Sequence, residues 1–376
     1  MAPETEFPPE LLSQTPAERL SYFRDKVVAH PHLKEIHQQL WQAIQQPGGI
    51  SLILVFGATG VGKTTLRCRL EQQLWEAGRP MMEKDPGHIP VVGLEVAVAD
   101  TESFRWRDYY QRALAALNEP MLQNKIIPNH VLEKRTELRN SGRYKVTAEL
   151  RWALEQALRH RRPTAFIVDE AQHFKKIASG RRLLDQIDTL KSLANLTGIT
   201  HVLIGTYELL GFAQLSAQLD RRSCEIHFPR YHIDVPEELL AFKRVLLTFQ
   251  RHLPLTGEPD LIAQAEYFYE RSVGCVGVMK DWLTRALAAA LEDGQETLTK
   301  TVLEKQALPH RKLLRMAREI REGEEMLMDN SRTQTELRSL LGMSAGATEQ
   351  PPPASSRNVG KRKPARDMVG HHEQTT

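Results

Sequence analysis

The sequence predicts an α/β fold: a parallel sheet with helices around it, followed by a smaller all-helical region. Three observations carry this. Residues 50–56, Ile-Ser-Leu-Ile-Leu-Val-Phe, form a near-continuous apolar run, the signature of a strand covered on both faces. Helical and apolar strand-like segments then alternate as far as about residue 233. Beyond Asp234 the strand signals stop and only helical periodicity continues.

The elements follow in order. Residues 1–48 read as a helical lead-in, with Leu33, Ile36, Leu40 and Ile44 at helical spacing and Gly48-Gly49 as its end. The core, residues 49–233, holds four strand candidates: 50–56, 89–99, 164–168 and 200–205. Helical segments at 64–77, 104–117, 146–160 and 183–196 separate them, and a polar, basic stretch lies at 118–145. In the third region, 234–330, Asp234 and Pro236 mark a helix start. Helices are expected there at 239–253, 260–272, 276–291 and 311–328. Residues 331–376 read as a disordered basic tail carrying Pro351-Pro352-Pro353 and Lys361-Arg362-Lys363.

The bulk numbers constrain the function class. Among 376 residues, 41% are hydrophobic and 26% charged, an ordinary globular balance. The net charge of +3 falls short of a dedicated nucleic-acid binder and leaves DNA binding open. Cys68, Cys224 and Cys275 are isolated, which fits neither a disulfide framework nor a zinc site. There is no basic-then-apolar leader and no run of the ~20 apolar residues a membrane span needs. A cytoplasmic protein without a membrane partner is expected.

The chemistry concentrates at strand ends. Gly57-Ala58-Thr59-Gly60-Val61-Gly62-Lys63-Thr64-Thr65 matches G-x-x-x-x-G-K-[ST] between a buried strand and an amphipathic helix. Glycines let backbone N–H groups wrap phosphates, and the helix N-terminus adds a favourable field for anions. Lys63 then reaches the β- and γ-phosphates of ATP, and Thr64 offers its hydroxyl to Mg²⁺. The third strand ends in Asp169-Glu170. Asp169 is the candidate to hold Mg²⁺, and Glu170 to orient and deprotonate an attacking water. Thr206, at the tip of the fourth strand, is a candidate contact for the γ-phosphate or the water. In Gln218-Leu219-Asp220-Arg221-Arg222 an arginine suits a finger acting on a neighbouring subunit, with Arg222 preferred. In Gly274-Cys275-Val276-Gly277-Val278-Met279-Lys280, Lys280 is the candidate phosphate sensor, and Trp282 reads as core of the helical region.

This ordered set resembles an AAA+ ATPase over roughly residues 30 to 310. Within that group the chain is similar to the transposition regulators of the TnsC/TniB family. The resemblance rests on the glycine-rich segment, on Ile167-Val168-Asp169-Glu170-Ala171-Gln172-His173, on Val202-Leu203-Ile204-Gly205-Thr206, on Arg221-Arg222 through Tyr231 and on Gly274-Cys275-Val276-Gly277. It implies an AAA+ P-loop core with a helical lid, and an ATP-bound ring or filament of the chain's own copies on double-stranded DNA. It also implies partners: a target-selection protein of the TniQ/TnsD type, in some systems CRISPR-guided, and transposase subunits, with ATP hydrolysis driving disassembly. Contacts to DNA phosphates would come from Arg139, Arg143, Lys145, Lys175, Lys176, Arg181 and Arg182. The alternatives are another AAA+ class: a replication initiator or loader, or a signalling or secretion ATPase with a protein partner. No winged-helix pattern is visible in the last third.

Overall fold

The computed structural model describes residues 6–96, 104–122, 125–126, 142–177, 181–213, 222–328 and 331–343. Five strands form one sheet: β1 (Leu52–Gly57), β2 (Val91–Glu95), β3 (Ala165–Asp169), β4 (Thr200–Gly205) and β5 (Ser223–Phe228). Their order is β2-β3-β4-β1-β5, and every neighbouring pair is parallel. β1, β3 and β4 are buried along their whole length, as strands covered on both faces must be.

The sheet has one strand more than the sequence suggests. β5, Ser-Cys-Glu-Ile-His-Phe, buries Ile226 and Phe228 and leaves Glu225 exposed. It is an edge strand, so half of it is polar and the apolar-run signal is missing. β2 starts at Val91 and not at the expected residue 89, because Pro90 has no amide to donate to a ladder; residues 97–99 of the expected strand lie outside the described residues.

The helices of the core are α3 (Lys63–Lys84), α4 (Trp106–Ala116), α5 (Gly142–Arg161), α6 (Arg181–Thr197) and the short α7 (Leu210–Ala213). α3 runs past the expected end at residue 77 despite Gly78 and Pro80. Gly78 faces the Pro90 ring, where a Cβ would lie 2.3 Å from Cγ, so this turn of helix is docked on the entry to β2. α5 begins at Gly142, inside the stretch expected to be irregular up to residue 145.

The lead-in is split between two bodies of packing. α1 (Pro16–Asp25) opens with a capping box between Thr15 and Glu18. Its Phe23 is fully buried among Phe249, Phe268, Met279 and Trp282 of the helical region, a burial worth about 2 kcal/mol. α2 (Pro31–Gln45) buries Leu33, Ile36, Leu40 and Ile44 and packs against β5 and α3 instead. Residues 26–30 therefore bridge the helical region and the sheet.

The helical region comprises α8 (Pro236–Arg251), α9 (Ala265–Ser272), α10 (Val276–Glu292), α11 (Lys300–Gln306) and α12 (His310–Leu327). As expected, Trp282 lies in its core, where Nε1 donates to the carbonyl oxygen of Leu303 at 2.8 Å. α11 was not foreseen; its Val302 and Leu303 are too short a run to show periodicity. The chain divides into compact units Met1–Met326 and Leu327–Thr376. In the second unit residues 331–340, the start of the expected disordered tail, form helix α13 (Ser331–Leu340). Lys361, Arg362 and Lys363 lie outside the described residues. Among the described residues no strand follows β5, and no helix is long and apolar enough to cross a membrane.

Candidate nucleotide site

In a parallel sheet all strand carboxyl ends share one edge. β1, β3 and β4 are neighbours, so Gly57–Thr65, Asp169-Glu170 and Thr206 meet there. The glycines of the loop serve different needs. Gly57 is forced by the edge strand: a Cβ would lie 2.2 Å from the Phe228 carbonyl oxygen. Gly60 and Gly62 have φ of +83° and +113°, where L side chains are strained. Gly62 is the N-cap of α3, whose first amides, with those of Thr64 and Thr65, have no partner within the helix. Lys63 is 8% exposed, and its Nζ donates to the carbonyl oxygens of Gly57 at 2.9 Å and Ala58 at 2.8 Å. Burial draws its ammonium below the ordinary lysine range, with Glu170 and Asp169 pulling the other way. The result is a cation inside a cradle of backbone, in a loop whose Ala58 and Val61 are buried.

Asp169 is 2% exposed. Its Oδ1 accepts from the Glu170 amide at 2.9 Å, and its Oδ2 lies 3.3 Å from Nε of Arg67 on α3. Burial raises the carboxyl; the Glu170 amide and Arg67 act against it. Arg67 also lies 3.7 Å from Glu71, whose carboxylate occupies the space left by Gly93 on β2. The sequence reading missed Arg67, because an arginine on the polar side of an amphipathic helix carries no local mark. Glu170 has a left-handed backbone, φ +55°, which costs a non-glycine residue about 1 kcal/mol. That turn lifts its carboxylate off the strand axis into a half-exposed position. Its Oε2 accepts from Gln172 Nε2 at 2.5 Å. The Thr206 hydroxyl is buried and makes no hydrogen bond. Orphan hydroxyls of this kind cost free energy unless a ligand supplies the partner.

The helical region closes on the loop through Gly277, not Lys280. The Gly277 amide donates to the Gly60 carbonyl oxygen at 2.6 Å, and Val278 packs over Gly60. Lys280, expected to sense phosphates, lies one turn further along α10 and points to α1. Its Nζ donates to the carbonyl oxygens of Phe23 and of Lys26, the latter at 2.6 Å, and sits 4.3 Å from the Phe23 ring centroid. Two carbonyl oxygens at the end of α1, a helix C-terminus that favours cations, hold the ammonium, so in this structure it lies at α1 and not at the phosphate loop where a sensor was expected. Next to it a cavity of about 140 Å³ is walled by Val27, Val28, Val61, Thr65, Val276 and the Lys280 stem. Arg24, Lys26 and His30 also line it, so the slot is of mixed polarity, and beside a helix N-terminus it suits a base attached to phosphates.

Arg222 is exposed and precedes β5, while the loop follows β1. Because the two strands are parallel and in register from Leu52↔Ser223 to Gly57↔Phe228, Arg222 stands at the opposite edge of the sheet, about 20 Å from its own loop. Arg221 and Arg139 lie outside the described residues. Arg143 and Lys145 fall in the first turn of α5, Lys175 and Lys176 in the 3-10 turn after β3, and Arg181 and Arg182 begin α6.

Comparison with known proteins agrees with this geometry. Residues 46–212 match the family model described as AAA domain. The fold is that of an α/β P-loop NTPase. The Aeropyrum pernix ORC2 protein in its ADP form is similar over 76% of this chain and 71% of its own, at 14% identity and a TM-score of 0.51. The Aeropyrum pernix ORC1 protein in complex with DNA is similar over 92% of this chain and 79% of its own, at 18% identity and a TM-score of 0.49. No curated protein matches the sequence. The matched segment ends within α7, so β5, Arg222 and the helical region lie beyond it.

Proposed function

We propose that this chain is an ATP-hydrolysing switch that assembles with its own copies on double-stranded DNA and regulates DNA transposition. The observation that carries the chemistry is the meeting of a buried lysine in a backbone cradle, a buried acidic pair and an unpartnered threonine hydroxyl at adjacent strand ends. These fit a nucleoside triphosphate: the cradle and α3 amides take the phosphates, Lys63 exchanges its two carbonyl acceptors for phosphate oxygens, and Thr206 gains a partner. The slot next to Thr65 takes the base. Thr64 and Asp169 would hold Mg²⁺, which supplies charge neutralisation on the transferred phosphoryl group. Glu170 accepts a proton from the attacking water, and the products are ADP and phosphate.

Arg222 serves a neighbouring copy, because topology keeps it from its own loop. Turnover then depends on assembly. The DNA and transposition parts rest on the resemblance of the motifs to the TnsC/TniB regulators. α5 enters β3 at the strand's amino end, so its first turn, with Arg143 and Lys145, lies towards the carboxyl-end side, where the Lys175-Lys176 turn also lies. That common side is the proposed track for DNA phosphates. A target-selection protein and the transposase would bind the assembled form.

Electron microscopy of the protein with double-stranded DNA tests the reading. Rings or filaments are expected with ATP or a slowly hydrolysed analogue and none with ADP. Lys63→Ala should abolish nucleotide binding and assembly together, and Glu170→Gln should bind, assemble and stay assembled. Absence of assembly with every nucleotide would overturn the DNA part and leave the phosphate chemistry standing. The fold shared with the ORC2 protein keeps a replication initiator or loader as a second reading. ATP-dependent recruitment of a transposase to the DNA-bound chain separates the two.

A further inference from the structure

One buried residue touches the site without a role assigned to it so far. Gln172 follows β3 by three residues, in the turn Ala171–Ile177, and is 6% exposed. Its Nε2 donates to Oε2 of Glu170 at 2.5 Å, and its Oε1 accepts from the Thr206 amide at 3.3 Å. The chemistry fixes the amide's orientation, since a carboxylate only accepts and a backbone N–H only donates. A neutral planar group with a donor at one corner and an acceptor at the other is what such a bridge requires. The neighbouring strand leaves room for it: a Cβ on Gly205 would lie 2.4 Å from Gln172 Oε1. The bridge spans β3 and β4, which pair up to Val168↔Leu203, just short of the two groups it joins.

Both ends of the bridge are unusual. Glu170 stands on a left-handed backbone with a half-exposed side chain, and beside Gln172 its carboxylate has the His173 Nε2 at a longer 3.8 Å. Thr206 presents a buried hydroxyl without a partner, one atom group away from the amide that Gln172 holds.

We propose that Gln172 is a positioning residue that transmits the placement of Thr206 to the Glu170 carboxylate, so that the base is aligned only when the β4 tip is engaged. The proposal rests on the reading that Glu170 handles the water and Thr206 faces the terminal phosphate. Gln172 touches neither nucleotide cradle nor base slot, so nucleotide affinity does not depend on it. Turnover does, because a misplaced base costs a rate factor on the order of 100-fold.

The test compares Gln172→Leu, Gln172→Glu and Gly205→Ala with wild type in kcat, KM, affinity for a fluorescent ATP analogue, and hydrogen–deuterium exchange at the Thr206 amide. Gln172→Leu should lower kcat by about 10- to 100-fold with KM and affinity within about twofold, and the Thr206 amide should exchange faster. Gln172→Glu keeps the acceptor for the Thr206 amide and loses the donor to Glu170. It should keep the amide protected and still lose kcat, a split that a loosened turn would not give. Gly205→Ala, which displaces the amide without altering it, should behave like Gln172→Leu. Wild-type kcat in Gln172→Glu, or affinity falling in step with kcat in Gln172→Leu, overturns the proposal. Glu170→Gln turning over at the wild-type rate overturns instead the hydrolysis reading beneath it.

Discussion

The Gly277 amide donates to the carbonyl oxygen of Gly60 across 2.6 Å, joining the first turn of α10 to the phosphate loop by backbone alone. A Cβ on Gly277 would lie 2.6 Å from that oxygen and 3.1 Å from its carbon, and backbone cannot step aside as a side chain would. Two effects of Gly277→Ala oppose each other. Helix propensity favours alanine by about 1 kcal/mol, which alone would raise the melting temperature. The collision forces α10 off the loop and outweighs it. The expected outcome is a lower melting temperature and a roughly tenfold weaker affinity for a fluorescent ATP analogue. A variant that melts higher and binds normally would show that helix and loop are uncoupled.

Arg222 at the far edge of the sheet gives a complementation prediction. Arg222→Ala should bind ATP normally as a monomer and lose assembly-stimulated hydrolysis by on the order of 1000-fold. Glu170→Gln should be equally inactive. Mixed together, the two inactive proteins should regain part of the rate. In the mixture some interfaces pair an intact Glu170 from one copy with an intact Arg222 from the other. Steady-state phosphate release from a titrated mixture reads this directly; a mixture as inactive as its components would remove Arg222 from the site.

What the sequence made legible divides along the same line. The loop around Lys63, the Asp169-Glu170 strand end and Thr206 each sit at the end of a fully buried strand, so apolar runs and polar punctuation mark them locally. β5 escaped because an edge strand with Cys224, Glu225 and His227 has no such run. Arg67 and Gln172 escaped because their meaning lies in partners elsewhere: Asp169 at the end of β3 for the one on α3, the Thr206 amide 34 residues away for the other. Lys280 was legible as a cation on the right helix and misassigned by one turn. Helical periodicity gives a face, and only the packing of Phe23 shows that this face meets α1.

Lys280 titrates in a distinctive window. Burial lowers its ammonium to about 8, with Asp25 and Asp281 acting against that. Between about pH 8 and the ordinary lysine value of 10.5 the folded chain holds fewer protons here than the unfolded chain. Stability from this group therefore rises with pH through that window. Lys280→Met keeps the stem packed on Phe23 and removes the titration. The stability of wild type minus that of Lys280→Met, from urea melts, should increase from pH 8 to 10.5. A flat difference would mean that the ammonium stays solvated in the fold.

A second titrating cluster ties α12 to the exit of β5. Glu324 accepts from Arg230 Nε at 3.0 Å and Nη2 at 3.1 Å, and His232 bridges Glu324 at 3.2 Å and Glu238 at 2.9 Å. One residue earlier Gly323 lies flat on the Tyr207 ring, where a Cβ would be 2.2 Å from Cγ, so α12 is seated beside Thr206. The Glu324 hydrogen bond raises His232, against burial and with help from Glu238. Burial raises Glu324, but His232 and Arg230 together hold it below the ordinary value of 4.5. The histidine's contribution is complete below its unfolded value of 6.5 and is lost as pH climbs through the raised folded value. The carboxylate's contribution is complete above 4.5 and is lost as pH falls through the lowered one. Both are fully present between about pH 4.5 and 6.5. Glu324→Gln should cost about 2 kcal/mol at pH 6. His232→Gln should flatten the fall in melting temperature above pH 6.5 and also weaken the acid side, of which Arg230 keeps a part. Thermal melts across that range read both limbs, and an unchanged alkaline limb in His232→Gln would assign the fall to another group.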